Sequence, residues 1–504
     1  MHTQKILIAL AAVALSGCGP GKPAPRTPVV PDAPTTASRG TLLGPVQKVS
    51  SLHGESLAAK TREFGGWGAF VAGIASPSPC GVDLYYFKYS TVGAANESTT
   101  ATGAIMVPGG TAEKCGGARP VMLYAHGNTR RQDANMADMR PDAPLGYESY
   151  QQAMMYAAAG YIVVAPNYAG HDTSSLGYHP HHIADQQSKD MIDALSAARS
   201  AFAGLAASDN GKLFLTGFSE GGYATMATHR AMQAAGIAVT ASAPQAGNFA
   251  EAAMYEALLA STSSLADMSK PDFEAMVRFV VKITGWQKAY GNIYSNPSEL
   301  YPAAYADKME TMFPSVLRPS ELKPKMPGFL LPNDMPGVSG LSVQQQLSFG
   351  PPENSLFKSS YLARLMADKA AIPCDANAAD APLACGATHP MRLAWFKNDL
   401  RTWVPRQPML MCGGNRDPVV SFQNTRLTDA YFKAHGVRPG VVTVVDVDSA
   451  IGENDFYGPA KRTFQRVEMD YITDTGMTNV TSDYHGSFAF LACSQAARDY
   501  FKQF

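Results

Sequence analysis

The chain has almost no net charge: 41 Lys and Arg against 42 Asp and Glu leave a formal −1 over 504 residues. Such a balance draws neither nucleic acid nor an anionic membrane by bulk electrostatics, so no nucleic-acid partner is expected. The chain also lacks an internal repeat, which argues against solenoids and propellers. The apolar run at the N-terminus, Ile6–Leu15, is too short to span a bilayer. The spacing of the polar run His171, Asp172, His179, His181, His182 and Asp185 matches no known zinc pattern, so no metal is expected. Charged residues are scarce at 16%, while hydrophobic ones reach 46%, which excludes a largely disordered chain. What remains is a large globular protein with room for more than one folded unit.

The N-terminus reads as a targeting segment. Lys5 precedes the apolar run, which ends in Leu15-Ser16-Gly17-Cys18. That end resembles the lipobox of bacterial lipoproteins. The resemblance implies cleavage before Cys18, a lipid on Cys18, membrane anchoring through it and an exported chain; Gly19 after the cysteine implies the outer membrane. Residues 19–40, rich in Pro, Ala and Thr, read as a tether. Of seven cysteines, six remain after Cys18. Export permits disulfides. Cys80 and Cys115 bracket two hairpin strands, Cys374 and Cys385 would close a short loop, and Cys412 and Cys493 would tie a late strand to the last helix. Free buried thiols are the alternative.

Strand and helix patterns alternate along much of the chain. Strands are expected at Val82–Tyr89, Gly103–Val107, Val121–Ala125, Tyr161–Ala165, Leu213–Leu215 and Ile237–Ala243. Helices are expected at Tyr147–Ala159 and Asp185–Phe202. After Ala250 the rhythm stops, and helices at Glu251–Ala260, Asp272–Thr284 and Leu356–Ala370 flank a proline-rich run, Pro314–Pro336. It resumes with a strand at Pro408–Cys412, a helix at Thr425–Ala434 and a strand at Val441–Val447, followed by an irregular stretch to Asp483 and a final helix, Ser487–Phe501. Alternation of this kind implies right-handed crossovers and a mostly parallel sheet covered on both faces. The expected division is a signal peptide (1–17), a lipidated cysteine and tether (18–45), a core in two parts (46–248 and 405–504) and a helical cap inserted between them (249–404).

Gly217-Phe218-Ser219-Glu220-Gly221-Gly222 sits between the strand at Leu213–Leu215 and a helical run. A serine between glycines at a strand-to-helix turn is lifted clear of the sheet, and a Cβ at either glycine would strike a neighbour. A serine hydroxyl needs a base, and the base needs an acid to orient it. His435 lies in surface-like sequence. His485 lies in a loop before the last helix, and Asp417 in a loop after a strand, where parallel-sheet enzymes place chemistry. Asp446 and Asp448, at the next strand's end, remain alternatives for the acid. If His485 is the base it must be neutral, so turnover should fall below about pH 6–7.

These segments, with Tyr124-Ala125-His126-Gly127, Ala165-Pro166-Asn167-Tyr168-Ala169-Gly170, Gly413–Val420 and His485-Gly486, resemble the α/β-hydrolase superfamily. Within it they are similar to the lipase and esterase branch, and to bacterial relatives of secretory lipases. The resemblance covers about residues 80–250 and 405–504 and implies an α/β-hydrolase fold with a large, mostly helical cap. It also implies Ser219 as nucleophile, His485 as base and acid, Asp417 as orienting carboxylate, a small-molecule or lipid ester as substrate, and no cofactor. Two positions depart from the pattern: Asp417 and His485 are far apart in sequence, and Asn167 stands where an aspartate is usual, with Asp172 nearby. The oxyanion hole is expected from backbone N–H groups among Glu220, Asn128 and Gly127, with His126 bracing that loop.

The polar run His171, Asp172, His179, His181, His182 and Asp185 is expected to line the mouth of the site rather than hold a metal. Met254, Met268, Met276, Met309 and Met312 read as cap core, with a flexible acyl pocket as the alternative. A peptidase or amidase of prolyl-peptidase type is the rival activity, and a non-catalytic binding protein on the same scaffold is the rival class.

Overall fold

Val121–Ala125 is a run of five apolar residues with no polar face, so it is stable only where both sides of the strand are covered. In a computed structural model, which describes residues 30–504 except 34, 54, 77, 269–272 and 477–482, it is covered on both sides. The signal segment, Cys18 and most of the tether lie outside the described residues, as does the Met268 side chain.

Among the described residues nine strands form one sheet: β1 (Gln47–Leu52), β2 (Gly81–Val92), β3 (Ser98–Gly109), β4 (Ala118–Ala125), β5 (Ile162–Pro166), β6 (Ser208–Phe218), β7 (Ala241–Gln245), β8 (Met409–Gly413) and β9 (Val442–Asp446). Their order is β1-β2-β3-β5-β4-β6-β7-β8-β9. The first three pair antiparallel and β3 is antiparallel to β5. From β5 onward every pairing is parallel.

The period of two divides each strand between two cores. Met122, Tyr124, Val163 and Phe214 pack against helices Gly65–Ala75, Gly146–Met155 and Phe490–Phe501. Val121, Leu123, Val164 and Leu215 face the other way, against Met191 and Leu195 of helix Ala184–Ala201 and Ala224 of helix Glu220–Ala234. This is an α/β-hydrolase fold: a mostly parallel sheet with helices on both faces.

Between β7 and β8 the chain forms helices Glu251–Leu258, Phe273–Tyr290, Ser359–Ala371 and Pro390–Asn398, with a core of their own around Val280, Trp286, Tyr301 and Tyr361. A two-stranded parallel ladder, Leu331–Pro332 with Phe349–Gly350, interrupts the helical pattern there. Met276 and Met309 are buried in this core, and Met254 and Met312 pack against it.

Three local expectations are corrected. The stretch expected to be irregular before Asp483 contains helix Gly458–Thr475, whose Ala460, Phe464, Val467 and Tyr471 form a narrow apolar stripe against the sheet-side core. Strand β7 begins at Ala241 rather than Ile237, because the Ile237 N–H is spent closing the preceding helix on Met232 O. Strand β1 and the two helices after it precede the first expected strand. Among the described residues the six cysteines pair 80–115, 374–385 and 412–493, as expected.

Candidate active site

Strand β6 ends at Phe218, and helix Glu220–Ala234 starts two residues later, leaving Ser219 to turn the chain. Ser219 adopts φ 60°, ψ −120°, a left-handed conformation that L-residues rarely take. Its N–H donates to Gln245 O at 2.9 Å, and Tyr223 N–H donates to Ser219 O at 3.1 Å, so both ends of the turn are tied. The flanking glycines are demanded by close approach. A Cβ on Gly217 would lie 2.4 Å from Ala125 O, one on Gly221 2.0 Å from the same oxygen, and one on Gly222 2.1 Å from Gln245 O.

The structure brings Ser219, Asp417 and His485 together. His485 Nε2 is 2.9 Å from Ser219 Oγ, and His485 Nδ1 is 2.6 Å from Asp417 Oδ2. The other Asp417 oxygen accepts from Val419 N–H at 2.8 Å and Val420 N–H at 3.0 Å, which fixes the carboxylate. The His485 side chain keeps 10% of its surface, whereas the Asp417 carboxylate is fully covered. His485 is not in a loop; it lies in the wide helical turn Tyr484–Ala489 that runs into the terminal helix. Such turns place a side chain where a regular helix would not.

The alternative acids are engaged elsewhere. Asp446 accepts from Asn415 N–H and Asp448 N–H, both at 3.1 Å. Asp448 pairs with Arg416 and accepts from Tyr484 OH at 2.8 Å. Tyr484 in turn lies against Gly414, where a Cβ would come 2.2 Å from its hydroxyl oxygen. Asp448 therefore braces the turn that carries His485.

Of the three expected oxyanion donors, one is committed. Gly127 N–H donates to Glu148 Oε1 at 3.0 Å, an oxygen that also accepts from Tyr124 OH. Glu148 is buried, and burial is the largest cause that raises its carboxyl above the usual range. Sequence reasoning missed it, although an acid inside the buried helix Gly146–Met155 was a signal. Glu220 is the first residue of its helix, so its N–H has no intrahelical partner. Asn128 N–H makes no hydrogen bond among the described residues. His126 braces the loop, its ring nitrogens 2.7 Å from Gly127 O and 3.2 Å from Asn167 O.

The polar run after His171 does not line an opening. His171, His179, His181 and His182 are buried, the last three around Glu220 and Glu251. Asp172 instead accepts from Tyr86 OH and Thr102 Oγ1, each at 2.8 Å, and Asp185 is exposed beside Lys189. Burial pushes the Glu220 carboxyl up, but the facing imidazoles more than reverse this and hold it well below the carboxylate range; burial pushes His181 itself down to about 3, so His179 is the partner that carries the charge. Burial likewise pushes His179 down, and Glu220 more than offsets it, so His179 lies above the ordinary histidine value.

With this geometry in view, the likenesses to known proteins fall into place. The model of the Prolyl oligopeptidase family matches residues 147–246, which span the Ser219 turn. The rice cell wall degrading esterase LipA from Xanthomonas oryzae is 25% identical, with a TM-score of 0.62 over 87% of this chain and 98% of its own. A solved structure from Legionella pneumophila shares the fold at 16% identity and TM-score 0.61, covering 92% of this chain and 98% of its own. Candida antarctica lipase A in its closed state does so at 12% and 0.50, covering 91% of each chain. No curated protein sequence matches the chain significantly. Fold and likenesses together define a hydrolase of the α/β class. Among these likenesses, LipA is an esterase.

Proposed function

We propose that this protein is a serine carboxylic-ester hydrolase that works through an acyl-enzyme. One observation carries the reading: His485 stands between the Ser219 hydroxyl and the Asp417 carboxylate, 2.9 Å from one and 2.6 Å from the other. In this reading Ser219 Oγ attacks the ester carbonyl carbon as its proton passes to His485 Nε2. Asp417 holds the Nδ1–H tautomer and stabilises the imidazolium. The oxyanion accepts from Glu220 N–H and Asn128 N–H. His485 then gives its proton to the leaving alcohol. Water repeats the sequence on the acyl-enzyme and frees Ser219, so the cycle consumes no cofactor.

The likeness to LipA favours an ester over an amide. A second reading, peptidase or amidase, is favoured by the family match at residues 147–246. We also assign residues 249–404 as a cap and 46–248 with 405–504 as the two parts of the core. Lipid on Cys18 would anchor the chain, and three disulfides fit an exported protein. No helix among the described residues is long and apolar enough to cross a membrane.

A panel of p-nitrophenyl esters of graded acyl length, with one p-nitroanilide, tests the reading. Esters should turn over in the wild type and not in Ser219→Ala, whose far-UV circular dichroism should be unchanged. Turnover that persists in Ser219→Ala sinks the assignment, and faster cleavage of the anilide moves it to the peptidase reading.

A further inference from the structure

The side chain next to the nucleophile lies in a cluster that the proton relay does not use. Glu220 is 2% exposed, and its carboxylate faces two imidazoles. His179 Nε2 is 2.5 Å from Oε1, and His181 Nδ1 is 2.8 Å from Oε2. Gln187 Nε2 donates to Oε1 at 2.7 Å and sets the plane of the carboxylate.

The hydrogen positions leave a problem at this point. His179 Nδ1–H donates to Ala169 O at 3.1 Å. A neutral His179 therefore turns the lone pair of Nε2 toward a carboxylate oxygen at 2.5 Å, and two lone pairs at that distance repel. A positive centre has to lie between them, either a second proton on His179 or a metal ion. On the other side, His181 Nδ1 and Glu220 Oε2 are both buried and neither makes an aligned hydrogen bond, although they are 2.8 Å apart. Two buried polar atoms left this way are costly unless something else satisfies them.

The donors are held as ligands usually are. An imidazole that gives its far N–H to a backbone carbonyl has the outer support that fixes a metal-binding tautomer. His181 is stacked on His182 at 4.1 Å and 7°, and His182 on Tyr223 at 4.2 Å and 10°, so the rings are packed from behind. One ligand atom from each of His179, His181 and Glu220 can be chosen so that all lie within 4.8 Å of one another.

We propose that His179 Nε2, His181 Nδ1 and both oxygens of Glu220 bind one divalent transition metal ion of zinc type. Two imidazoles and a carboxylate suit zinc, whereas calcium and magnesium ask for oxygen alone. Bonds of about 2.0–2.1 Å would require the His–Glu contacts to open by roughly half an ångström. The ion would stand where the His179 and Glu220 lone pairs face each other and would give His181 Nδ1 and Glu220 Oε2 a partner. It touches no substrate. Its effect is to hold in place the residue whose N–H follows Ser219, and the site is independent of which bond the enzyme hydrolyses.

Untagged full-length protein, freed of metal with dipicolinate and titrated with Zn²⁺, tests this. We expect one zinc per chain by plasma mass spectrometry and a melting temperature raised by about 5 °C or more. His181→Ala should lose the zinc while keeping its far-UV circular dichroism. If that variant does not fold, anomalous diffraction at the zinc edge from wild-type crystals decides, with a peak between residues 179, 181 and 220 expected. Folded wild type that retains no zinc from excess overturns the site, leaving a histidine–carboxylate cluster only. So does stoichiometric zinc that persists in His181→Ala.

Discussion

Ser219 and Glu220 are neighbours in the chain, yet they face opposite ways into two histidine–carboxylate assemblies built in reverse order. On the serine side one imidazole lies between a hydroxyl and a carboxylate, and the His485 ring retains some surface while the Asp417 carboxylate is covered. On the glutamate side one carboxylate lies between two imidazoles, and His179, His181 and Glu220 are nearly inaccessible. The difference teaches that the same pair of groups does different work according to what stands in the middle. A central imidazole can take a proton from one neighbour while the other stabilises it. A central carboxylate has no proton to relay and instead gathers positive charge, which makes it a clamp.

The strongest way to break this contrast is to disable the relay alone. Asp417→Asn removes the charge that orients His485 and should lower kcat for ester turnover by about 10⁴ with little change in stability. Asp446→Asn and Asp448→Asn should each stay far above that, because neither oxygen pair faces His485. Equal losses in all three variants would remove Asp417 from its role.

Next in size is the clamp. Glu220→Gln keeps the backbone N–H and the side-chain shape but leaves His179 without its counter-charge. Unfolding in urea should show a loss of about 3–5 kcal/mol, the range found when one partner of a buried pair is removed. A loss under about 1 kcal/mol would show that the buried charges are not coupled as the distances imply.

The smallest effect sharpens the comparison with a third histidine. His229 lies on the same helix as Glu220 but meets only neutral partners, Ser242 Oγ at 2.8 Å and Gln407 Oε1 at 3.2 Å. Burial pushes it down to about 4 from the ordinary 6.5. The unfolded chain therefore takes up the proton first as pH falls. The stability tied to neutral His229 is complete above about pH 6.5 and declines toward pH 4, by at most roughly 3 kcal/mol. Urea midpoints of wild type and His229→Gln across that window should diverge, with the variant the flatter. Parallel curves would discard the point.

Much of the serine side was legible in the sequence because local rules govern it. The elbow glycines are forced by backbone oxygens about 2 Å from where a Cβ would stand, and that constraint writes itself as Gly-x-Ser-x-Gly. Asp417 and His485 follow from strand and helix ends. The glutamate side was not legible. Its histidines were visible as a polar run, but nothing local says that they fold inward onto a carboxylate 41 residues on. The Glu148 bond to the Gly127 N–H is likewise a contact across the fold, and it removed one of three expected donors. Helix Gly458–Thr475 was missed for a different reason: its apolar stripe is one residue wide and its other faces are charged. The helical segment between β7 and β8 carries no motif, since short turns and prolines leave packing to decide its path.

The bond between Cys412 and Cys493 joins the strand that leads to Asp417 with the terminal helix that follows the turn carrying His485. Acid and base, remote in the primary chain, are thus riveted to each other by a covalent strut that the serine does not share. A polypeptide whose thiols are still reduced must align those two groups by packing and hydrogen bonds alone.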